Sequence, residues 1–549
     1  MQRSSYKLPL IALVFLSICV LIYSTWSSNT KVLSSQGNQH NQNTQSSYYH
    51  LLLPASEASA GLCKTIFSAA VLGYPTPRLL NWQRKFEDEH LIFGGSHIAK
   101  IEGVLGFLRQ LEPQHDDELV SIVDGYDVWF QLRPEVVISR YNEINKRANY
   151  RIRSRLGMKD AEENNVKQTV VFSAQKKCWP ASPDDAACFA VPQSELAADI
   201  YGPQTDHDID DEKNPFAKMR QRYLNSGTVI GPVGDVRAIF ERAAEKALVS
   251  TNFGSDQGIF AEIFGEQEYQ RELIRAQNLS RLQRIFLALK RVTVGLSELD
   301  DVTSPHPTHH GMNPATPGGR NYEFHIGLDY GGELSQPTVF SENDLAWLKH
   351  KDINDIRDKS TMAGMEGKVR VKGLPGDVAA STPPFWASDV ASAANLPTSQ
   401  TWEDMAVYTN LWTGTTPVAI HHNAHHDGLK ARIQTFWNET WYFPHLRELL
   451  HASARDIRAP VAVLENSGVQ HEWWDPTDER GGARVEIGSL PGDWIGWQDM
   501  CGTTEITDEV FRDGKGAWND PIVFLSWDHG VAEEQVARWR ESHKSSMNT

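Results

Sequence analysis

The stretch ELVSIVDGYDVWFQLRP, residues 118–134, is an apolar run that ends in two carboxylates, Asp124 and Asp127, three positions apart. The run predicts a buried strand over residues 118–124. In α/β sheets, ligands gather where the strands end at their carboxyl edge. Two neighbouring carboxylates repel each other unless a cation neutralises them, and hard oxygen ligands suit Mg²⁺ or Mn²⁺. The stretch therefore indicates a metal site. The alternative is an Asp-Gly turn whose carboxylates cap a loop.

Strands and helices are predicted to alternate along the chain around this stretch. The predicted strands are residues 64–73, 118–124 and 168–174, and the predicted helices are residues 99–112, 134–147, 235–248 and 255–265. Residues 300–320 are rich in turn-forming residues and predict a loop, whereas the Gly/Ala/Ser/Pro-rich residues 355–400 predict an insertion. The alternation indicates an α/β fold with a largely parallel central sheet.

Length and charge narrow the class of protein further. A chain of 549 residues suits one large α/β domain with additions, or two domains. Apolar residues make up 40% of it, which is ample for a core. The formal net charge is −17 and no block of basic residues stands out. A nucleic-acid partner is therefore not expected.

The N-terminal residues predict a membrane anchor. Arg3 and Lys7 precede residues 8–26, which contain no charged residue and are just long enough to span a bilayer. Positive charge before the span predicts a cytoplasmic tail of residues 1–7 and a lumenal remainder. A cleaved signal peptide is the alternative, although no small-x-small cleavage site follows. We therefore expect a single-pass type II membrane protein of the Golgi or endoplasmic reticulum.

The lumenal part is predicted to consist of three segments. Residues 27–60 are rich in Ser, Asn and Gln, a composition that cannot bury a core and that predicts a flexible stem. A globular domain is predicted over residues 61–450. Residues 451–549 form a Trp-rich C-terminal extension to which the sequence assigns no role. Acceptor tripeptides at Asn278 and Asn438 fit a lumenal glycoprotein.

Four cysteines would lie in the lumen, namely Cys63, Cys178, Cys188 and Cys501. An even number fits disulfide bonds in an oxidising compartment. The close spacing of Cys178 and Cys188 makes them a plausible pair, which would leave Cys63 with Cys501. Spacing alone leaves this connectivity open, and a zinc site is a weaker alternative because no CxxC occurs.

Six short motifs occur in the order that they have in a known family. They are VDGYDVWF (residues 123–130), VVFSAQKKCWP (170–180), YLNSGTVIG (223–231), SDQGIF (255–260), IGLDYGGELSQ (326–336) and IHHN (420–423). Together they resemble the glycosyltransferase domain of the procollagen-lysine hydroxylase/glycosyltransferase family, over roughly residues 60–440. The iron- and 2-oxoglutarate-dependent hydroxylase domain of that family has no evident counterpart in this chain.

This resemblance implies a GT-A fold, a nucleotide-sugar-binding α/β architecture in which a divalent ion, Mn²⁺ or else Mg²⁺, holds a UDP-sugar. By position in the motifs, Asp124, Asp127 and His421 would be the metal ligands. Two carboxylates and an imidazole suit Mn²⁺ better than Mg²⁺ because imidazole is a softer ligand. His425 is a rival third ligand, because HHDGLK (residues 425–430) also resembles an element of the glycogenin-like transferases.

The resemblance also implies roles for residues around the metal. Lys100 and Lys430, with Asp124, would bind the donor nucleotide, and Lys430 would act as a point charge on the diphosphate. Asn225 would border the sugar or acceptor, and Asp256 would lie on the catalytic side of the donor. The residues also have simpler interpretations: an exposed helix lysine for Lys100, a buried strand-end amide for Asn225 and a helix N-cap for Asp256.

These expectations combine into one function. The sequence predicts a metal-dependent glycosyltransferase that moves a hexose from a UDP-sugar to a hydroxyl group of a protein or glycan acceptor in the secretory pathway. A non-catalytic lumenal binding protein on the same fold is one alternative. The other is a metal-dependent hydrolase that uses the histidine clusters at residues 306–310 and 421–426, although no HExxH motif supports it.

Overall fold

A computed structural model of the protein describes the ten ranges 43–86, 91, 95–248, 254–278, 321–365, 368–386, 395–455, 459–466, 468–486 and 493–518. The strands within these ranges are β1 Asn43–Pro54, β2 Arg78–Leu80, β3 Leu119–Val123, β4 Val128–Phe130, β5 Val170–Gln175, β6 Tyr223–Pro232, β7 Ile326–Asp329, β8 Ser335–Pro337, β9 Leu345–Lys349, β10 Ala406–Asn410, β11 Ala419–His421, β12 Ala462–Asn466, β13 Val469–Trp474, β14 Gly482–Glu486 and β15 Trp494–Gly496.

The α-helices of the same ranges lie mostly between these strands. They are α1 Ala60–Val71, α2 Ser96–Leu108, α3 Pro134–Leu156, α4 Met158–Glu163, α5 Ala186–Phe189, α6 Val233–Ala247, α7 Asp256–Asn278, α8 Ile353–Met362, α9 Gly376–Ala380, α10 Asp427–Lys430, α11 Arg432–Phe436, α12 Leu446–Arg455, α13 Trp497–Cys501 and α14 Thr504–Val510.

The largest sheet has ten strands, and its main path runs β15-β14-β2-β1-β3-β6-β5-β7. Strands β14, β2, β1 and β3 pair in parallel, and β5 pairs in parallel with β7. Strand β6 is antiparallel to both β3 and β5, so that β5 and β7 run in the same direction as β3. The predicted α/β class with a mostly parallel central sheet is therefore confirmed.

Most of the predicted local elements are also present. The strands predicted at 118–124 and 168–174 appear as β3 and β5, and the four predicted helices appear as α2, α3, α6 and α7. The predicted loop at 300–320 lies outside the described residues. The predicted insertion at 355–400 contains most of helix α8 and all of the short helix α9.

The strand predicted at residues 64–73 is wrong, because this segment belongs to helix α1, Ala60–Val71. Ser59 caps the helix by accepting a hydrogen bond from the Leu62 amide. The helix is buried along most of its length, including Leu62, Ile66 and Phe67. A short apolar run of this kind does not distinguish a buried helix from a buried strand.

The flexible stem predicted over residues 27–60 is wrong for its last part, because β1 occupies Asn43–Pro54 at the centre of the sheet. Leu52 pairs with Arg78 on one side and with Ile122 on the other. The segment as a whole is rich in Ser, Asn and Gln, but its residues 48–54 are YYHLLLP. In this part, Tyr49 and Leu51–Leu53 are fully or almost fully buried. Local composition therefore placed the start of the folded part too late.

The domain boundary predicted at residue 450 is also absent from the folded unit. Strand β14 pairs with β2 and so continues the central sheet, and Cys501 of helix α13 forms a disulfide bond with Cys63 of helix α1. The rings of Trp497 and Trp518 pack against Phe67, each with its ring centroid 5.7 Å from that of Phe67. The described part of the C-terminal extension is thus integral to the core.

In the described ranges, no helix combines the length and the apolar character that a bilayer span requires. The predicted anchor at residues 8–26 lies outside those ranges.

Candidate metal centre

A small three-stranded sheet, β4-β11-β8, lies next to the carboxyl end of β3 and brings distant residues together. Strand β11 runs antiparallel to β4, and His421 is opposite Val128, the residue after Asp127. The His422 amide donates to the Asp127 carbonyl at 2.8 Å. This pairing places the His421 side chain beside the carboxylates that follow β3.

Asp124, Asp127 and His421 form a compact group of possible metal ligands. One ligand atom from each lies within 4.8 Å of the others. His421 Nε2 is 3.6 Å from Asp124 Oδ2 and 3.6 Å from Asp127 Oδ1. The His421 side chain is buried, whereas those of Asp124 and Asp127 are 33% and 32% exposed. The group is therefore closed on the protein side and open to a ligand on the other.

The orientation of the His421 ring suits a metal ligand. Its Nδ1 lies 3.1 Å from Asn225 Oδ1, so the Nδ1–H donates to this amide oxygen and the Nε2 lone pair faces the carboxylates. Ligand histidines are held by such outer hydrogen bonds. Burial lowers the pKa of His421, but the charges of Asp127 and Asp124 outweigh burial and raise it above the ordinary value. The carboxylates thus make this position favourable for positive charge.

Gly227 makes room for the ring. A Cβ atom on Gly227 would lie 2.2 Å from His421 Cε1 and 2.3 Å from Nδ1. The Gly227 carbonyl accepts from the Asp124 amide at 3.0 Å, which fixes β6 against the end of β3. Only glycine therefore leaves the space that the imidazole occupies.

Asn225 is fully buried and holds His421 in place. Its Nδ2 donates to Gln175 Oε1 at 2.9 Å and to Gln257 Oε1 at 3.0 Å, while its Oδ1 accepts from the Gly227 amide. The sequence placed Asn225 at the sugar or acceptor. The observed contacts make it a buried residue that orients His421, and a contact with the sugar or acceptor stays a prediction. Gln175 and Gln257 were not predicted as site residues, although both lie within motifs quoted above, at residues 170–180 and 255–260.

Lys100, which was predicted to bind the donor nucleotide, lies next to the carboxylates. Its Nζ is 2.6 Å from Asp124 Oδ1 and 2.9 Å from Asp256 Oδ2, and it donates to the Ser226 carbonyl. The side chain is buried, which argues against the alternative of an exposed helix lysine. Burial would lower the pKa of Lys100, but Asp124 and Asp256 raise it well above its usual value. The ammonium group is a permanent charge beside the site.

Asp256 begins helix α7 but does not cap it, because Ser255 Oγ accepts the hydrogen bond from the Gly258 amide. The buried Asp256 carboxylate instead accepts a hydrogen bond from the Ser226 hydroxyl at 3.0 Å and contacts His97 Nδ1 at 3.1 Å. Burial would raise the pKa of Asp256, but Lys100 and His97 lower it far below the ordinary value. Asp256 is therefore ionised at any physiological pH.

His97 is a site residue that sequence reasoning missed. Its side chain is 50% exposed, while its Nδ1 contacts the buried Asp256 carboxylate. The hydrogen bond that His97 donates to Asp256 raises the pKa of His97 above its ordinary value, although partial burial opposes this. Its spacing of three residues from Lys100 on helix α2 was a signal that could have found it.

Tyr126 was missed too, although it stands between the two predicted carboxylates. Its hydroxyl accepts hydrogen bonds from the amides of Ser56 and Glu57, at 2.9 and 3.2 Å, in the loop after β1. The ring itself is among the exposed large apolar side chains. An exposed planar surface thus lies directly beside the carboxylate pair.

Two predicted residues lie elsewhere. Lys430 is exposed at the end of helix α10, and no ion pair among the described residues joins it to the carboxylates. His425 Nε2 donates to the Lys213 carbonyl at 2.7 Å, and His425 groups with Glu342 and His426 rather than with Asp124. His421, and not His425, is thus the histidine next to the carboxylate pair.

The ordered motifs of the sequence meet around this centre, with one exception. Asp329, at the end of β7, accepts hydrogen bonds from the amides of Glu333, Leu334 and Ser335 and therefore shapes a turn. Burial raises its pKa to about 6. The chain as a whole matches no protein-family model and is not significantly similar to any curated protein.

Proposed function

We propose that the protein is a metal-dependent glycosyltransferase with a GT-A fold, which moves a hexose from a UDP-sugar to a hydroxyl acceptor in the lumen of the secretory pathway. The observation that carries the proposal is the convergence of Asp124, Asp127 and His421 beside the buried cation of Lys100. The mostly parallel sheet, with this group at the carboxyl end of β3, is the architecture in which nucleotide ligands bind.

The residues at this centre fit a divalent ion. The glycine cradle at Gly227 and the Asn225 hydrogen bond hold the imidazole with its Nε2 towards the two carboxylates. Two carboxylates and one imidazole are a donor set that suits Mn²⁺. Mn²⁺ bound there would supply positive charge to the diphosphate of the donor. The half-open geometry leaves room for substrate oxygens to complete the coordination.

Lys100 adds a second positive charge for the leaving group. Its ammonium is buried and is held by Asp124, Asp256 and the Ser226 carbonyl. A preorganised charge at a water-poor position stabilises the charge that develops on the departing diphosphate. Tyr126 could support the planar base of the nucleotide by stacking, because its ring is exposed and its hydroxyl is already bonded.

For the acceptor proton, the geometry favours His97 over Asp256. The Asp256 carboxylate is buried and already bonded to Lys100, His97 and Ser226. The half-exposed His97 ring can meet an acceptor. In the transfer, the acceptor oxygen bonds to the anomeric carbon as that carbon's bond to the diphosphate oxygen breaks, and the diphosphate keeps the electron pair. The hydroxyl proton passes to His97, and Asp256 stabilises the resulting imidazolium.

The hydrolase alternative places the histidines of residues 421–426 in one cluster, but His421 and His422 lie apart from the other two. His421 faces the carboxylates, His422 packs on Trp129 with ring centroids 4.0 Å apart, and His425 contacts Lys213. These side chains do not surround a common point. The other histidine cluster, at 306–310, lies outside the described residues. A non-catalytic binding protein remains the rival that the experiment below addresses.

The test is release of UDP from a panel of UDP-sugars by the full-length protein, with and without Mn²⁺, alongside Asp124→Asn and Asp127→Asn. Each substitution keeps size and removes one ligand charge, so we expect steady metal-dependent release that falls about 10²–10³-fold in each variant. Asp358→Asn, an exposed helix aspartate, is the matched control and should retain full activity.

Melting curves distinguish the two outcomes that would contradict this proposal. Near-normal activity in both variants would exclude the metal site. Loss of activity together with a collapsed melting temperature would instead support the Asp-Gly turn interpretation. An unmutated protein that binds a UDP-sugar with Mn²⁺ but releases no UDP would favour the non-catalytic binding protein.

A further inference from the structure

A second group of possible metal ligands lies outside the centre described above. It consists of Glu342, between β8 and β9, and of His425 and His426, between β11 and α10. One oxygen or nitrogen atom from each lies within 4.8 Å of the others. Glu342 and His425 are mostly buried, with side chains 12% and 16% exposed, and His426 is exposed. The group is therefore rooted in the protein and open on one side.

Two buried acceptor atoms in this group receive no hydrogen bond from any residue that the structure describes. Glu342 Oε1 accepts from Asn214 Nδ2 at 2.8 Å, but Glu342 Oε2 is buried without a hydrogen-bond partner among the described residues. His425 Nε2 lies 2.7 Å from the Lys213 carbonyl and must carry the proton, which leaves a lone pair on Nδ1. His425 Nδ1 is also buried, and no residue in the described ranges forms a hydrogen bond with it. Such orphaned acceptors are costly unless a donor or a cation satisfies them.

The group is held by its surroundings. The His425 ring stacks on Phe340 with centroids 4.5 Å apart and an interplanar angle of 22°. Asn423 links the same two segments, because its Oδ1 accepts from the Val339 amide and its carbonyl accepts from the Thr338 hydroxyl. The hydrogen bond from His425 to the Lys213 carbonyl resembles the outer bonds that orient ligand histidines. The position of His425 is thus fixed before any ion binds.

We propose that Glu342, His425 and His426 form a second metal site, one that takes Zn²⁺. Two imidazoles and one carboxylate are a common zinc donor set, softer than the Asp124, Asp127 and His421 group. His426 Nδ1 accepts from the Leu429 amide, so this imidazole joins the ion by exchanging that single hydrogen bond for coordination. The exposed position of His426 makes the exchange possible.

Zinc at this site would hold the segment that contains His421 against the segment that contains Glu342. The Thr338 amide donates to the His421 carbonyl at 2.9 Å, and Glu342 lies four residues further on. In the segment that follows β11, His425 lies four residues after His421. An ion joining Glu342 to His425 would therefore tie together the two segments that position the first centre. This site is independent of the transfer reaction proposed above.

The experiment uses full-length protein, stripped with a chelator and dialysed against Zn²⁺, with bound metal measured by mass spectrometry. Asp127→Asn is included to remove zinc bound at the first centre. Within this background, we expect one equivalent of Zn²⁺, which is lost in Glu342→Gln and in His425→Gln. His207→Gln, at an exposed histidine outside both groups, is the control and should keep the ion. Equal zinc content in all four proteins would overturn the site.

A measurement on the background protein guards against variants that misfold. Co²⁺ in place of Zn²⁺ should give visible absorption bands typical of four- or five-coordinate nitrogen and oxygen ligands, with a rise in melting temperature on binding. Absence of both the bands and the rise in well-folded Asp127→Asn protein would overturn the proposal without reference to the other variants.

Discussion

Gly227 and His97 show how much of the site depends on single residues. Gly227 leaves the space that the His421 ring occupies, and the half-exposed His97 ring contacts the Asp256 carboxylate. Neither is a metal ligand. Each therefore offers a test of the site that leaves the carboxylates unchanged.

At Gly227, we expect alanine to weaken Mn²⁺ binding. The added Cβ would overlap the His421 ring at 2.2 Å, so the ring must leave its position, and overpacking of this kind costs about 1–3 kcal/mol of stability. Calorimetric titration with Mn²⁺ and a denaturation curve measure the two effects. Gly376→Ala is the control, since no atom of the described part of the chain lies within 4 Å of its added Cβ. Unchanged Mn²⁺ affinity in Gly227→Ala would contradict the assignment of His421 as a ligand.

At His97, the prediction concerns pH. A general base must be neutral, and contact with Asp256 raises the pKa of His97, so kcat/KM should rise with pH through that raised value and level off above it. Asp256→Asn removes the charge that raises the pKa, so the acid limb should move to lower pH. In His97→Gln, the limb should disappear and the rate should fall about 10²–10⁴-fold. A pH–rate profile of His97→Gln that keeps the same acid limb would contradict this role.

At the scale of elements, the pairing of β4 with β11 directs two adjacent histidines, His421 and His422, to opposite sides. Successive residues of a strand face opposite sides. His421 therefore faces the carboxylates, whereas His422 packs against Trp129 in the core. Burial lowers the pKa of His422 to about 3, so it is neutral in the folded protein.

This packing predicts acid sensitivity of the fold. The pKa of His422 in the folded state is lower than its unfolded value of about 6.5. The unfolded state therefore binds a proton first as the pH falls, so the free energy of unfolding is highest above pH 6.5 and decreases as the pH falls towards 3. Between pH 6.5 and 5 the free energy of unfolding decreases by about 2 kcal/mol for this reason. Replacement by an apolar ring, His422→Phe, should abolish that part of the pH dependence in denaturant titrations. His207→Phe should leave it unchanged, and equal acid sensitivity in both variants would refute the argument.

At the scale of the whole molecule, the two ends of the folded unit depend on each other. Lys64 of helix α1 pairs with Glu509 of helix α14 at 2.6 Å, next to the Cys63–Cys501 disulfide. Strand β14 covers the edge of β2. The residues before the site and those far beyond it therefore build one core.

We accordingly expect a chain that ends at residue 450 not to fold. It would lose β14 and the rings of Trp497 and Trp518 that pack on Phe67, and losing even one such aromatic ring typically costs about 3–5 kcal/mol. Circular dichroism and limited proteolysis, with the full chain as control, provide the measurement. Cooperative unfolding of the shortened chain would contradict this prediction and support the domain boundary at residue 450 that the sequence suggested.

The sequence by itself determined the features whose signals are local. The apolar run before Asp124 specified strand β3, helical spacing specified α2, α3, α6 and α7, and the alternation of these elements specified the α/β class. The three-residue spacing of Asp124 and Asp127 was enough to suggest a paired-carboxylate site. These signals depend on neighbours in the chain, so that composition and periodicity carry them.

Tertiary structure alone decided the features that depend on residues distant in sequence. Strand β1 lies in a polar-looking segment because β2, β3 and β13 pair with it, and helix α1 is buried because the C-terminal aromatic residues cover it. The choice of His421 over His425 followed from the register of β11 on β4, and the contact of His97 with Asp256 joins two separate helices. Pairing and packing of this kind set which side chains meet, and no local pattern of residues encodes them.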